Sequence, residues 1–280
     1  MDTLENSGKI RPQFRSIAGG LLVVAGAMLF LDQYMKTGWL SLVIMPGAGL
    51  FLYIWGIRAR LESLLIPGGI LAGLGLGWAM AMRNPQAGLD WQTGSLLIFF
   101  ALGWLAVTAG TRVFTVKTDW WALIPAGVLG GLGIYLLTTN LHWMDLALWL
   151  GLGVALPLLV WGLAERMLGL IIPGSLLLGI SPGLYHAWGL ARASNGLVST
   201  GIMLVWFALG WFLILVFTRM IRQKVAWWPL IPGGILAMVG CGLYIGGDPS
   251  NALGFIGNTG SIGLMIFGLY LLLMRKGIHH

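Results

Sequence analysis

The sequence predicts an all-α integral membrane protein with ten transmembrane helices, for two reasons of composition and length. Of the 280 residues, 58% are hydrophobic and only 9% are charged, and the mean hydropathy is +0.88. A soluble domain carries about 25% charged residues, so this chain cannot cover itself with a wettable surface. Apolar segments of about 17–22 residues, long enough to cross a hydrocarbon core of about 30 Å, recur along the chain. The predicted spans are 16–34, 39–57, 63–82, 94–112, 120–138, 146–164, 168–187, 198–218, 228–246 and 260–274.

The basic residues are distributed unevenly between the two sides of the predicted membrane domain. With alternate loops assigned to opposite sides, one side receives Lys36, Arg83 and Arg192, and the other receives the remaining 13 of the 16 lysines and arginines. The positive-inside rule then predicts that both chain ends are cytoplasmic, which requires an even number of spans. This topological bias accounts for the net charge of +7, and no nucleic-acid partner is predicted.

Internal repetition predicts how the spans are grouped. WWALIPAG at 120–127 recurs as WWPLIPGG at 227–234, with an offset of 107 residues. WGIRARLESLLIPGG, which begins at Trp55, recurs as WGLAERMLGLIIPGS from Trp161, with an offset of 106. A shorter period lies inside this duplication, because an Ile-Pro step followed by small residues opens four of the spans. The sequence therefore predicts five tandem helical hairpins of about 53 residues, all inserted in the same orientation.

The predicted single membrane domain consists of a cytoplasmic tail and five hairpins, the last with a short C-terminal tail. Their bounds are 1–15, 16–61, 62–117, 118–166, 167–224 and 225–280. A proline near the start of a helix costs little, because a first-turn N–H has no helical acceptor, and the small residues let a neighbouring helix pack closely. The alternative is a broken helix whose carbonyl groups meet an ion or substrate. The repeated step is formed by Ile66, Pro67, Gly68, Gly69, Ile124, Pro125, Ala126, Gly127, Ile172, Pro173, Gly174, Ile231, Pro232, Gly233 and Gly234.

Side chains that could carry chemistry are few. All nine acidic residues fall in the tail, in loops or at span ends, whereas ionisable groups that handle protons or ions lie inside the bilayer. The lone cysteine, Cys241, cannot form a disulfide framework or a thiolate metal site. Catalytic and metal-binding patterns are missing, so neither an enzyme nor a metal cofactor is predicted. His186, Tyr185 and His142 lie on the predicted outer side, either as ordinary interfacial residues or as contacts for a lipid, a quinone headgroup or a haem- or chlorophyll-type pigment.

Two adjacent segments resemble the transmembrane hairpins of the LiaI–LiaF-like family of bacterial envelope proteins. They are SIAGGLLVVAGAMLFLDQY at 16–34 and GWLSLVIMPGAGLFLYIWG at 38–56, and WWPLIPGGILAMVGCGLYI at 227–245 has the same style. In that family such hairpins precede a soluble β-rich domain and are associated with envelope-stress sensing or its inhibition. The resemblance implies a bacterial inner-membrane setting and this hairpin style.

These features together favour a non-catalytic membrane protein that packs against lipids, other membrane subunits or further copies of itself. Such a protein acts as a scaffold, as an accessory subunit or as a component of the envelope-stress response. Two alternatives stay open: a transporter or channel for a small neutral or apolar solute, and a subunit that binds a pigment or a quinone. The first alternative needs a polar route, which the sparse hydroxyl side chains of the spans do not outline.

Overall fold

A computed structural model describes residues 39–138, 142–189, 196–221 and 227–246, together with 30–34 and a few single positions near both ends. The predicted N-terminal tail, most of the first span and most of the last span lie outside the described residues, as do His279 and His280. Every regular element in the described part is helical, and no strand is present there. The helices are α1 (Trp39–Ala59), α2 (Glu62–Arg83), α3 (Leu89–Phe114), α4 (Leu123–Leu137), α5 (Trp143–Ala164), α6 (Leu168–Leu184), α7 (Gly196–Met220) and α8 (Leu230–Gly246).

Two short elements extend these helices. A 3₁₀ turn, Trp120–Ala122, leads into α4, and a five-residue π-helix, Tyr185–Gly189, continues α6. With these extensions, seven helices of the described part are long and apolar enough to cross a membrane, and α8 is apolar but shorter. The chain is therefore an all-helical protein with the segment lengths of a membrane protein.

The chain divides into two compact units, Met1–Thr118 and Asp119–His280. In the first unit, α2 packs against both α1 and α3. In the second, each helix from α4 to α7 packs against the next one along the chain. Short connections join these helices, so sequential neighbours lie side by side and antiparallel.

The two units bury corresponding side chains. Leu65, Val107 and Thr111 in the first unit have relative exposures of 0%. The residues 106 or 107 positions later in the second unit are equally buried, at 0% or 1%: Ile171, Ile214 and Thr218. Both threonine hydroxyls donate to backbone carbonyls one helical turn earlier, as buried hydroxyls in apolar helices do.

Candidate functional site

The small residues of the repeated step lie at helix contacts, and in the first unit its two glycines meet different helices. A methyl group added at Gly68 would lie 2.5 Å from the backbone nitrogen of Tyr53 in α1. One added at Gly69 would lie 2.9 Å from the carbonyl oxygen of Gly103 in α3. The first glycine therefore lets α2 approach the preceding helix, and the second lets it approach the following one.

The same division holds in α6 of the second unit. A methyl group on Gly174 would lie 2.9 Å from the Leu159 side chain of the preceding helix, α5. The next residue, Ser175, is fully buried, and its carbonyl oxygen would lie 2.9 Å from a methyl group on Gly210 of α7. Ile172 and Pro173 are only half-buried, as are Ile66 and Pro67 in α2.

The copies of the step in α4 and α8 also place a small residue against a neighbouring helix. In α4, Ala126 is buried and Gly127 packs directly on Gly153 and Pro157 of α5, whereas Ile124 and Pro125 are half-buried. In α8, Gly233 faces Trp211 of α7, Pro232 is half-buried, and Ile231 and Gly234 are exposed. No described atom lies within 4 Å of a methyl group built on Gly234.

One turn further along, the α2–α3 and α6–α7 contacts have matching geometry. A methyl group on Gly73 would lie 2.8 Å from the Gly103 Cα and 2.8 Å from the Phe99 carbonyl oxygen. The corresponding positions of the second unit, 106 or 107 residues later, have similar distances. A methyl group on Gly179 would lie 2.8 Å from the Gly210 Cα and 2.6 Å from the carbonyl oxygen of Trp206. Glycine is required here since no side chain fits between backbones at these distances.

Two helix-to-helix turns are also alike, and the sequence patterns did not reveal their conformation. Arg60 and Arg166 have φ values of 55° and 56°, in the left-handed region. In both turns the following N–H donates to a carbonyl five residues earlier, Leu61 to Gly56 at 3.1 Å and Met167 to Gly162 at 2.8 Å. This is the hydrogen bond of a Schellman cap, in which glycine is the usual left-handed residue.

The aromatic residues of the Trp-Trp repeats contact the helices beside them. The indole Nε1 of Trp120 donates to the Glu165 carboxylate at the end of α5, over 2.7 Å. In the later copy, Trp228 packs edge-on against Trp211, with ring centroids 5.6 Å apart. These contacts fix how the start of α4 meets α5 and how the start of α8 meets α7.

His186, predicted as a possible ligand contact, lies in the π-helix at the end of α6. Its Nδ1 is 2.8 Å from the carbonyl oxygen of Pro182, and its ring stacks on Trp206 of α7 at a centroid distance of 5.0 Å. Tyr185 packs edge-on against the His186 ring at 5.7 Å. Trp206 was not among the predicted site residues, because nothing in the sequence reveals which face of α7 meets α6.

His142 has a different position from His186. It precedes α5, and its backbone N–H donates to the carboxylate of Asp145 at 3.3 Å, so the pair helps to cap the helix. Within the described ranges, no three His, Cys, Asp or Glu side chains come together where they could hold a metal ion.

An apolar groove lies between α6 and α7 beside His186. Its volume is about 310 Å³, and its lining includes Leu178, Pro182, Trp206, Leu209 and Phe212. Pro182 and Trp206 are also the two residues that hold the His186 ring. The groove and the imidazole therefore adjoin each other through these two residues, although His186 itself does not line the groove.

Comparison of the chain with protein-family models, curated proteins and solved structures finds no match. The resemblance to LiaI–LiaF-like hairpins therefore stays an expectation from the sequence.

Proposed function

We propose that the chain is a non-catalytic membrane scaffold or accessory subunit. It is built from five tandem hairpins with ten spans, and both of its ends lie in the cytoplasm of a bacterium. The observation that carries the proposal is the division of labour within the repeated step. In α2 and in α6, one small residue of the step packs on the helix before and the next on the helix after, so within each unit this helix is held closely between its two neighbours.

The corresponding contacts in the two units support the duplication. In lipid, helices gain little from hiding apolar side chains from one another, because the surrounding tails are equally apolar. Helices in lipid are held together instead by close approach of their backbones and by the dispersion contacts that this approach allows. A chain whose small residues are used for internal packing leaves its large apolar side chains on the outside.

The outward side chains support contact with lipids or other membrane subunits. Leu102 and Leu105 of α3 are 50% and 44% exposed, and their counterparts 107 residues later, Leu209 and Phe212 of α7, are 46% and 53% exposed. Both units therefore expose a similar apolar ridge, and the ridge on α7 also lines the groove between α6 and α7. A ridge of this kind suits a partner helix or acyl chains.

Extraction of tagged protein from native membranes in polymer nanodiscs, followed by quantitative proteomics, tests the role as a subunit. We expect one or more membrane proteins to copurify at a fixed ratio. Two double variants show which ridge the partner binds: Leu209→Ala with Phe212→Ala on α7, and the matched pair Leu102→Ala with Leu105→Ala on α3. The pair on the bound ridge should reduce that ratio, and the other pair should not. Recovery of the chain alone contradicts the proposal, and saturable solute uptake by liposomes containing the pure protein favours a transporter instead.

A further inference from the structure

We propose that the groove between α6 and α7 binds the quinol form of a membrane quinone, with His186 accepting a hydrogen bond from a ring hydroxyl. This goes beyond the scaffold role, since packing of the hairpins does not require a ligand. His186 lies beside this groove, because Pro182 and Trp206 contact its ring and also line the groove.

The imidazole of His186 is held in one hydrogen-bonding state. A carbonyl oxygen can only accept, so the 2.8 Å contact with Pro182 requires a proton on Nδ1 of His186. In the neutral ring the other nitrogen, Nε2, then carries a lone pair and accepts. Among the described residues no group is paired with Nε2, and the His186 side chain is exposed. The site therefore offers a fixed acceptor to a ligand that donates.

The groove and the aromatic rings beside it restrict the shape and polarity of the ligand. The lining of the groove is almost wholly apolar, which suits a hydrocarbon tail and excludes a charged headgroup from its length. Tyr185, His186 and Trp206 form a row of aromatic rings with centroid distances of 5.0–5.7 Å. A flat phenolic ring packs against such a row more favourably than a glycerol headgroup does. Donor hydroxyl, flat ring and apolar tail together describe a quinol.

The first unit does not share this arrangement. The residues 106 or 107 positions earlier are Met80 for His186, Leu76 for Pro182 and Phe99 for Trp206. Helix α2 also stays α-helical to Arg83, whereas the corresponding part of the second unit turns into a π-helix. The contacts common to both units serve helix packing. The His186 imidazole has no counterpart in the first unit, so packing does not account for it. π-Turns inside α-helices are frequent at functional sites.

The experiment uses the full chain labelled with [¹⁵N]histidine in detergent micelles, where four histidines give few signals. A decyl-substituted benzoquinol is the probe, and His186→Gln assigns the signals of interest. We expect His186 to show a protonated Nδ1 and an unprotonated Nε2, and its Nε2 signal to shift on titration with the quinol. The oxidised quinone has no hydroxyl to donate, so we expect it to bind about tenfold more weakly, the effect of one lost hydrogen bond.

Control variants separate the site from general partitioning into micelles. Leu209→Trp fills the groove and should weaken quinol binding, whereas Leu102→Trp at the corresponding place in the first unit should not. His142→Gln should leave the titration unchanged. A protonated Nε2 in the free protein, equal affinity for quinone and quinol, or a His186 shift caused only by short-chain phosphatidylglycerol would overturn the proposal. The first of these outcomes is read from the wild-type protein, and only the assignment of its signals needs the His186→Gln variant.

Discussion

At the residue scale, Arg60 and Arg166 occupy a backbone region that disfavours side chains. A left-handed conformation costs a non-glycine residue about 1–2 kcal/mol. Glycine avoids this cost, but it loses more conformational entropy on folding, which offsets part of the gain. We expect Arg60→Gly to raise the free energy of unfolding in micelles by about 0.5–1 kcal/mol. Arg60→Val should lower it, because β-branched residues tolerate this region least. Reversible unfolding by a denaturing detergent, followed by circular dichroism, measures both changes.

Arg58 provides the control, because it lies two residues earlier in the last turn of α1. Glycine at a helical position is destabilising by up to about 1 kcal/mol, so Arg58→Gly should lower stability while removing the same charge. If the two glycine variants change stability in the same direction, the strain at Arg60 is not the cause. Arginine at this strained position is consistent with the predicted topology, since its charge favours a cytoplasmic turn.

At the element scale, the pairing of α2 with α3 depends on the absence of a side chain at Gly103. A methyl group there would lie 2.5 Å from the carbonyl oxygen of Gly69 and 2.9 Å from the Cα of Gly73. Both atoms belong to the backbone, so the helices would have to separate. We expect Gly103→Ala to lower the free energy of unfolding by about 1–3 kcal/mol, the usual cost of overpacking. The same detergent titration measures it.

Gly210 and Gly47 complete this experiment. Gly210 is the counterpart of Gly103 in the second unit, with Ser175 O 2.9 Å from the added methyl group, and Gly210→Ala should be destabilising to a similar degree. Gly47, inside α1, has no described atom within 4 Å of such a group. There the helix propensity of alanine should raise stability by up to about 1 kcal/mol. If Gly47→Ala lowered the free energy of unfolding as much as Gly103→Ala does, separation of the helices would not be the cause of the loss.

Hydropathy and length were sufficient to locate most helices, whereas the contacts between helices could not be predicted. The span predicted at 63–82 is observed as Glu62–Arg83, because a long apolar run between polar loops has few other solutions in lipid. α3 begins at Leu89, earlier than the predicted residue 94, since Asp90 and Gln92 extend the helix beyond its apolar part. These helices are apolar all round, so no amphipathic stripe indicates which face meets which neighbour.

His186 and Tyr185 were predicted as possible ligand contacts, whereas the packing around them was not, although the sequence holds one signal for it. The offset between corresponding residues rises from 106 at Gly179 to 107 at Trp206, so one residue is added in that interval. The π-helix lies inside the interval, and a π-turn holds one residue more than an α-turn. The change of offset marks where the second unit departs from the first. It does not reveal that Trp206 stacks on His186, because that depends on the rotation of α7 about its axis.

At the scale of the whole molecule, the proposed five-hairpin arrangement requires both chain ends on one side and alternate loops on opposite sides. Cysteine labelling tests this, because Cys241 is the only native cysteine and can be replaced by serine. Single cysteines at Ser7 and Gly277 test the ends, and Asn84 and the fully exposed Val116 test the loops that follow α2 and α3.

In intact cells we expect a membrane-impermeant maleimide to label Asn84→Cys, because Arg83 at the end of α2 is the single basic residue next to this loop, which therefore faces outward under the positive-inside rule. Val116→Cys, Ser7→Cys and Gly277→Cys should react only after the membrane is permeabilised. Labelling of one chain end but not the other would mean an odd number of spans, which no series of two-helix modules can produce. The packing rule for the repeated step would then hold only for the hairpins in which its contacts are described, and the scaffold built from five of them would have to be abandoned.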